Sequence, residues 1–216
     1  MTDQVSGTQL ARFLCSRLCH DLVSPAGAVN AGMELYEEDP AHGAEALSLV
    51  RRSALQMTRR LSFYRMAFGM GGGSDGRISV EALRLISEDL LREGNIRLDW
   101  SLTEDTPGEI ALLAGKLVLN VVFSGIDCLP RGGNLLVRLA RLEENLGLAV
   151  QGNGVGARPS DELVSALAGK ISIENLTARN VQGVLVKTLA DEIGAELELD
   201  SEIPGEVRIA AMIPAV

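Results

Sequence analysis

The hydrophobic pattern of residues 8–68 is helical and is interrupted once, at the Pro- and Gly-containing segment 38–43. This predicts two helices joined by a short turn. In the second helix the apolar positions alternate in steps of three and four, forming a heptad seam: Leu47, Val50, Ala54, Met57, Leu61, Tyr64 and Phe68. Two helices alone bury little surface, so we expect a homodimer in which two antiparallel hairpins form a four-helix bundle.

The remainder of the chain alternates between helix and strand patterns. The glycine-rich segment 69–76 predicts a flexible linker, with a helical domain over 1–70 before it and a second domain over 77–216 after it. The predicted helices cover residues 79–93, 110–129, 160–168 and 177–193. The predicted strands cover residues 95–102, 133–142, 146–151, 196–200 and 207–213, the last two forming a hairpin. The fold class is therefore α+β, with helices layered on a sheet after the hairpin.

Composition and charge narrow the class of protein. A net charge of -9 argues against nucleic-acid binding, which depends on Lys and Arg contacts to phosphates. No basic segment leads into an apolar run near the start, and no long uncharged apolar stretch occurs, so we expect neither a signal peptide nor a membrane span. Three cysteines form no even-numbered disulfide framework, which favours reduced thiols and a cytoplasmic location. Cys15 and Cys19 lack a second ligand pair, so we interpret them as packing residues and expect no metal site.

One histidine in the first helix has unusual surroundings. At 100° per residue, His20 lies about 160° from Leu18 and from Leu22 on the apolar stripe, so its imidazole should face away from helix packing. Within about 60° of it, by the same helical geometry, lie mostly small residues and one cation: Phe13, Ser16, Arg17, Val23, Ser24, Gly27 and Ala31. Pro25 should remove the backbone bond to Asp21 and bend the helix. A solvated histidine is the ordinary explanation, but the free space, the nearby cation and the proline favour a functional one.

The segment around this histidine resembles a known motif. His20-Asp21-Leu22-Val23-Ser24-Pro25 resembles the phosphoacceptor box of histidine kinases, in which an acid, an apolar residue and a proline follow the histidine. The longer run HDLVSPAGAVNAGMEL is similar to ChpT-type histidine phosphotransferases, which are dimeric phosphorelay proteins. That resemblance covers residues 8–68 strongly and the region after residue 77 weakly.

The resemblance implies a role for each residue near the motif. His20 would accept a phosphoryl group from a receiver aspartate and hold it as a phosphoramidate. Asp21 would orient the ring or take its proton, or be only a solvated acid; Ser24 would hydrogen-bond the moving group, or be a small spacer. The partner-binding surface would comprise Phe13, Ser16, Arg17, Val23, Gly27 and Ala31. The magnesium ion of such transfers would belong to the receiver partner, so no cofactor is expected here.

The second half resembles the ATP-binding domain of histidine kinases, a Bergerat-like α/β sandwich, in degenerate form. Asn120 corresponds to the asparagine that kinases direct to magnesium and phosphate, but Lys116 occupies the place of a preceding glutamate. The segment 152–156 is similar to the adenine box, but Gly152 replaces its aspartate. The glycine-rich phosphate box retains one glycine, Gly183. Together, the missing glutamate, the missing aspartate and the missing glycines of the phosphate box predict a domain that no longer binds ATP.

These observations predict a histidine phosphotransferase that accepts phosphate from a hybrid kinase's receiver and passes it to response regulators. Arginines 51, 52, 59, 60 and 65 of the second helix would attract acid-rich receivers, although a solvated helix face is the simpler explanation of them. Two alternatives remain: an ATP-dependent histidine kinase, and a non-catalytic dimeric scaffold in which His20 is incidental.

Overall fold

The computed structural model describes residues 7–69 and 76–214 and begins with a helical hairpin. Helix α1 spans Gly7–Glu38, a 3-10 turn spans Pro40–His42, and α2 spans Gly43–Phe68, which confirms the two predicted helices and their break. The carboxylate of Asp39 organises the turn by accepting from the amide of Ala41 at 3.0 Å and contacting His42 Nδ1 at 2.7 Å.

The rest of the described chain forms a mixed sheet with helices. Its elements are β1 (Arg77–Ser79), α3 (Val80–Leu91), β2 (Ile96–Leu102), β3 (Glu109–Ala111), α4 (Leu112–Asp127), β4 (Gly133–Leu142), β5 (Asn145–Asn153), α5 (Asp161–Leu167), a 3-10 turn (Ile173–Asn175), α6 (Val181–Ile193), β6 (Glu196–Asp200) and β7 (Glu206–Pro214). Five strands pair in the order β2-β4-β5-β7-β6, parallel between β2 and β4 and antiparallel elsewhere. The predicted α+β class and the predicted hairpin of the last two strands are confirmed.

Two short strands were not predicted from the sequence. Strands β1 and β3 pair antiparallel, with Ile78 opposite Ile110. The prediction that places Ile110 inside the following helix is therefore wrong, and α4 starts two residues later. Three-residue strands carry no periodic signal, because their stability comes from pairing across a long sequence separation.

One face of the sheet is covered by helices. Along β4 the alternate residues Leu135, Val137 and Leu139 are buried, while Asn134 and Arg138 are exposed. A Cβ atom at Gly125 of α4 would lie 2.7 Å from Val150 Cγ1, so this helix packs very closely on the sheet. The core is built mainly of aliphatic residues, as the low aromatic content predicts.

The hairpin and the sheet layer share buried surface. Phe63, Tyr64 and Ala67 of α2 belong to the same hydrophobic core as α4 and the inner sheet face. The first turns of α1 add Leu10, Phe13 and Leu14 to a second cluster with residues of α5 and α6. The predicted linker lies mainly at 70–75, outside the described residues, so the division into 1–70 and 77–216 stays a prediction.

Candidate functional site

His20 projects from α1 into solvent. Its side chain is 90% exposed, and Nδ1 lies 3.5 Å from Oδ1 of the adjacent Asp21. The outward orientation expected from helical geometry is therefore present. Asp21 therefore lies beside Nδ1, and Nε2 is the ring nitrogen without this neighbouring carboxylate.

Asp21 is held from the second helix of the hairpin by two neighbouring side chains. Tyr64 donates its hydroxyl to Asp21 Oδ2 at 2.9 Å, and Arg60 Nη1 donates to the backbone carbonyl of Asp21. That carbonyl would ordinarily accept from the amide four residues later, which is Pro25 and has no N–H. Helix α1 continues through the buried Pro25, and Arg60 supplies the hydrogen bond that the proline cannot give.

Tyr64 is fixed in a small aromatic cluster. Its ring packs against Phe68 at 5.6 Å, Phe123 at 5.8 Å and Phe63 at 6.3 Å between centroids. Burial raises the pKa of the Tyr64 hydroxyl well above its usual value, and the negative charge of Asp21 raises it further. The hydroxyl therefore keeps its proton and remains a donor to Asp21 at physiological pH.

Arg17 faces the second layer of the protein, which is the sheet with its helices (residues 76–214). Its guanidinium forms an ion pair with Asp127 of α4 and lies 4.9 Å from the ring centre of Phe123. The side chain is only 14% exposed. The structure thus brings Arg17 to Asp127, so this predicted partner-binding cation is already paired within the chain.

The other predicted partner-binding residues divide into two groups. Ser16, Val23, Gly27 and Ala31 form an exposed face of α1 around His20, and Ser24, which was predicted to contact the phosphoryl group, lies on the same face. At Gly27 a Cβ atom would meet nothing within 4 Å, so this part of the face is open. Phe13 instead packs half-buried against the cluster of α5 and α6 residues. The exposed residues of this face are mostly small, and Val23 is the one large apolar side chain among them.

The basic flank of α2 is only partly free. Arg51, Arg52 and Arg65 are exposed. Arg59 is engaged with Glu93 of the second layer at 2.9 Å and with Asp89 at 3.5 Å. Three of the five arginines therefore remain as exposed positive charge beside the hairpin.

Two residues of the second half that resemble parts of a nucleotide site, Asn120 and Gly152, are buried and in contact with other residues of the protein. Asn120 is 0% exposed; its amide nitrogen donates to the carbonyls of Ala67 and Lys116 at 3.0 and 2.8 Å, and its Oδ1 accepts from Gln182 at 2.9 Å. Gly152 is buried on β5, where a Cβ atom would lie 3.3 Å from the side chain of Leu129. The bond between Asn120 and Gln182 joins α4 directly to α6.

Two further observations concern ligands and membranes. Within residues 7–69 and 76–214, His, Cys, Asp and Glu side chains form no group of three or more that could hold a metal ion. Cys15 and Cys19 are exposed and Cys128 is buried, all three as free thiols. Across the same residues, every helix is too short or too polar to cross a bilayer.

Sequence reasoning did not identify the residues that support the site. Tyr64 was assigned to the packing seam, Arg60 to the basic flank, and Phe123 and Asp127 to no role. One signal in the sequence was Pro25. Because proline has no N–H, the backbone carbonyl of Asp21 needs a hydrogen-bond donor from another part of the chain. Another was the concentration of scarce aromatic residues in the second helix.

Comparisons with known proteins agree over most of the chain. A family model described as the histidine phosphotransferase C-terminal domain matches residues 80–203. The protein phosphotransferase ChpT of Brucella abortus (strain 2308) is 31% identical over 198 residues, covering 90% of this chain and 91% of that protein. A bacterial phosphotransferase solved at 1.7 Å is 28% identical with a TM-score of 0.85, covering 98% of this chain and 99% of that one. The catalytic domain of the histidine kinase ThkA aligns with a TM-score of 0.48 at 16% identity, covering 64% of this chain and 93% of that one.

Proposed function

The chain belongs to the ChpT-type histidine phosphotransferases and acts in a phosphorelay, and we propose that His20 is the residue that carries the phosphoryl group. The observation that carries this proposal is an imidazole that is 90% exposed on a helix face, with a fixed carboxylate beside Nδ1. An exposed ring is reachable by a second protein, and a neighbouring carboxylate can set its protonation.

The geometry supports the following transfer step. With the ring proton on Nδ1 facing Asp21, the lone pair of His20 Nε2 attacks the phosphorus of a receiver's aspartyl phosphate. A nitrogen–phosphorus bond forms, the phosphorus–oxygen bond breaks, and the receiver's carboxylate leaves with the bonding electrons. The positive charge that develops on the ring is balanced by Asp21. Transfer to the next receiver is the same step reversed, with magnesium supplied by that receiver.

We propose that the donor is the receiver domain of a hybrid histidine kinase and that the recipients are response regulators. The open face of α1, with Val23, Ser24 and Gly27, lets a receiver bring its aspartate to His20. Ser24, one turn after the histidine, would donate a hydrogen bond to the phosphoryl group during its transfer. The exposed arginines of α2 would attract the acidic receiver surface and speed encounter. We place this exchange in the cytoplasm, where three free cysteines remain reduced.

We also propose that the protein neither binds ATP nor phosphorylates itself. Each polar atom of the Asn120 side chain already has a partner within the protein, and these hydrogen bonds compete with coordination of a nucleotide-bound magnesium ion. At Gly152 there is no carboxylate to bind adenine, and any side chain would be crowded by Leu129 at 3.3 Å. Titration with magnesium and a non-hydrolysable ATP analogue should give no saturable binding, whereas micromolar affinity and labelling by ATP would identify a histidine kinase instead.

The homodimer is likewise a proposal, supported by apolar surface left on the hairpin. The large aliphatic residues that share this exposure are Met33, Leu35, Leu47, Leu55 and Leu61. Leu47 and Leu61 belong to the heptad seam and are 47% and 49% exposed. A second copy packed along this seam would complete the four-helix bundle.

The decisive experiment is phosphotransfer from receiver domains of the same genome charged with acetyl phosphate. The wild type should take up the phosphoryl group, His20→Ala should take up none, and His42→Ala should behave as the wild type. His42 is a matched control because it is the other histidine of the chain and lies in the hairpin turn. Label on His20→Ala would show that this histidine is incidental, as the scaffold alternative holds.

A further inference from the structure

Two side chains one turn apart on α2 converge on a single residue of α1. Arg60 binds the backbone carbonyl of Asp21, and Tyr64 binds its carboxylate. Residues four apart lie on the same face of a helix, so these two contacts act together. Both the main chain and the side chain of Asp21 are therefore fixed from the opposite helix of the hairpin.

The hydroxyl of Tyr64 is itself held in place. The ring is buried among Phe63, Phe68 and Phe123, and Phe123 belongs to α4 in the second layer. Phe123 also contacts the guanidinium of Arg17. Three of the four phenylalanines of the chain thus pack around the tyrosine that binds Asp21. Such packing fixes the position of the ring, and its hydroxyl donates to Asp21 Oδ2.

We propose that Tyr64 is a positioning residue for phosphotransfer: by binding one oxygen of Asp21 it turns the other oxygen toward Nδ1 of His20. The proposal rests on the proposed role of His20 as phosphoacceptor. A free aspartate side chain rotates about two bonds and spends much of its time away from the ring. Holding Oδ2 on α2 removes that freedom and leaves Oδ1 3.5 Å from the imidazole.

The chemical consequence is the choice of ring tautomer. A carboxylate fixed beside Nδ1 keeps the proton on that nitrogen, so the lone pair remains on Nε2, the other nitrogen of a ring that is 90% exposed. Without Tyr64 the imidazole would return to the tautomer mixture of a free histidine. With Tyr64 in this role, the second layer contributes to phosphotransfer without binding a nucleotide, because Phe123 of α4 helps to hold the tyrosine ring.

The first test measures the tautomer directly and needs no partner protein. Nitrogen-15 NMR of histidine-labelled protein gives ring signals from only two residues, His20 and His42. In Tyr64→Phe the His20 signals should shift from the Nδ1–H form toward those of free histidine, and Asp21→Asn should give the same shift. His42 serves as the internal reference, and Tyr36→Phe, which changes the other tyrosine, should leave both rings unchanged.

The second test measures transfer from the receiver domains charged with acetyl phosphate. Tyr64→Phe retains the aromatic packing, so the protein should fold, and its transfer rate should fall about tenfold, a fraction of what a proton-handling group contributes. Tyr36→Phe should transfer as the wild type does. The double variant Asp21→Asn/Tyr64→Phe should be no slower than Asp21→Asn alone, because Tyr64 acts through Asp21.

The outcomes separate the two proposals. If the wild type fails to transfer, the proposed function is wrong, and the tautomer measurement still decides whether Tyr64 orders the ring through Asp21. If Tyr64→Phe transfers normally, or loses rate without a change of tautomer, or adds to the loss of Asp21→Asn, then Tyr64 is only a packing residue and the inference is overturned.

Discussion

Two glycines of α1 differ in what surrounds them. At Gly32 a Cβ atom would lie 2.7 Å from Val50 Cγ2, so this glycine permits close contact with α2. At Gly27 a Cβ atom would meet nothing, although glycine in a helix interior costs about 1 kcal/mol relative to alanine. The protein therefore carries a cost at Gly27 that its own packing does not require.

We predict that Gly27→Leu folds at least as stably as the wild type but transfers phosphate at least about tenfold more slowly, because the new side chain blocks the docking receiver. Gly7→Leu is the matched control, since that glycine is also open and lies on the same helix far from His20. Thermal unfolding checks the fold and receiver labelling checks transfer. Normal transfer by Gly27→Leu would place the docking surface elsewhere.

Cys128 gives a second prediction at this scale. The thiol is buried, and burial raises its pKa to about 12. Below that pKa the thiolate fraction is small and rises tenfold per pH unit, so the thiol should react slowly with Ellman's reagent at pH 8 and steadily faster up to pH 10. In Cys15→Ser/Cys19→Ser it is the one remaining thiol. Rapid reaction of this variant at pH 8 without denaturant would contradict the prediction.

At the scale of elements, α4 is the point where the hairpin meets the sheet layer. Asn120 donates to the carbonyl of Ala67 near the end of α2 and accepts from Gln182 in α6. Phe123 contacts Tyr64 of α2, and Asp127 pairs with Arg17 of α1. Helix α4 thus connects α1, α2 and α6 by polar and aromatic contacts.

We predict that Asn120→Ala lowers the free energy of unfolding by about 2–4 kcal/mol, because it leaves buried hydrogen-bonding groups without partners. The exposed Asn134→Ala should change it by less than about 0.5 kcal/mol. Chemical denaturation measures both. Unchanged stability of Asn120→Ala would mean that this amide is free for a ligand, which would revive the kinase alternative.

At the scale of the whole molecule, the apolar surface of the hairpin predicts self-association. Leu61 on α2 and Leu85 on α3 are similarly exposed, at 49% and 51%, but only Leu61 lies on the heptad seam. We predict that Leu61→Glu weakens or abolishes a dimer, since it places a charge in the bundle interior, whereas Leu85→Glu leaves it intact. Light scattering after size exclusion measures the mass. Equal behaviour of the two variants would argue against a bundle along this seam.

Local pattern in the sequence was sufficient for some features of this protein. Helical periodicity placed both helices of the hairpin and the outward direction of His20, because these depend on 3.6 residues per turn and on no distant contact. Strand alternation likewise located the five strands of the main sheet, and the motif around His20 indicated the family.

Other features were decided only by the tertiary structure, because they join residues far apart in the chain. Tyr64 reaches Asp21 across 43 positions, Arg17 reaches Asp127 across 110, and Gln182 reaches Asn120 across 62. The short strands β1 and β3 exist only as a pair. A sequence records which side chains are available for such contacts, but the packing of helices and sheet determines which of them meet.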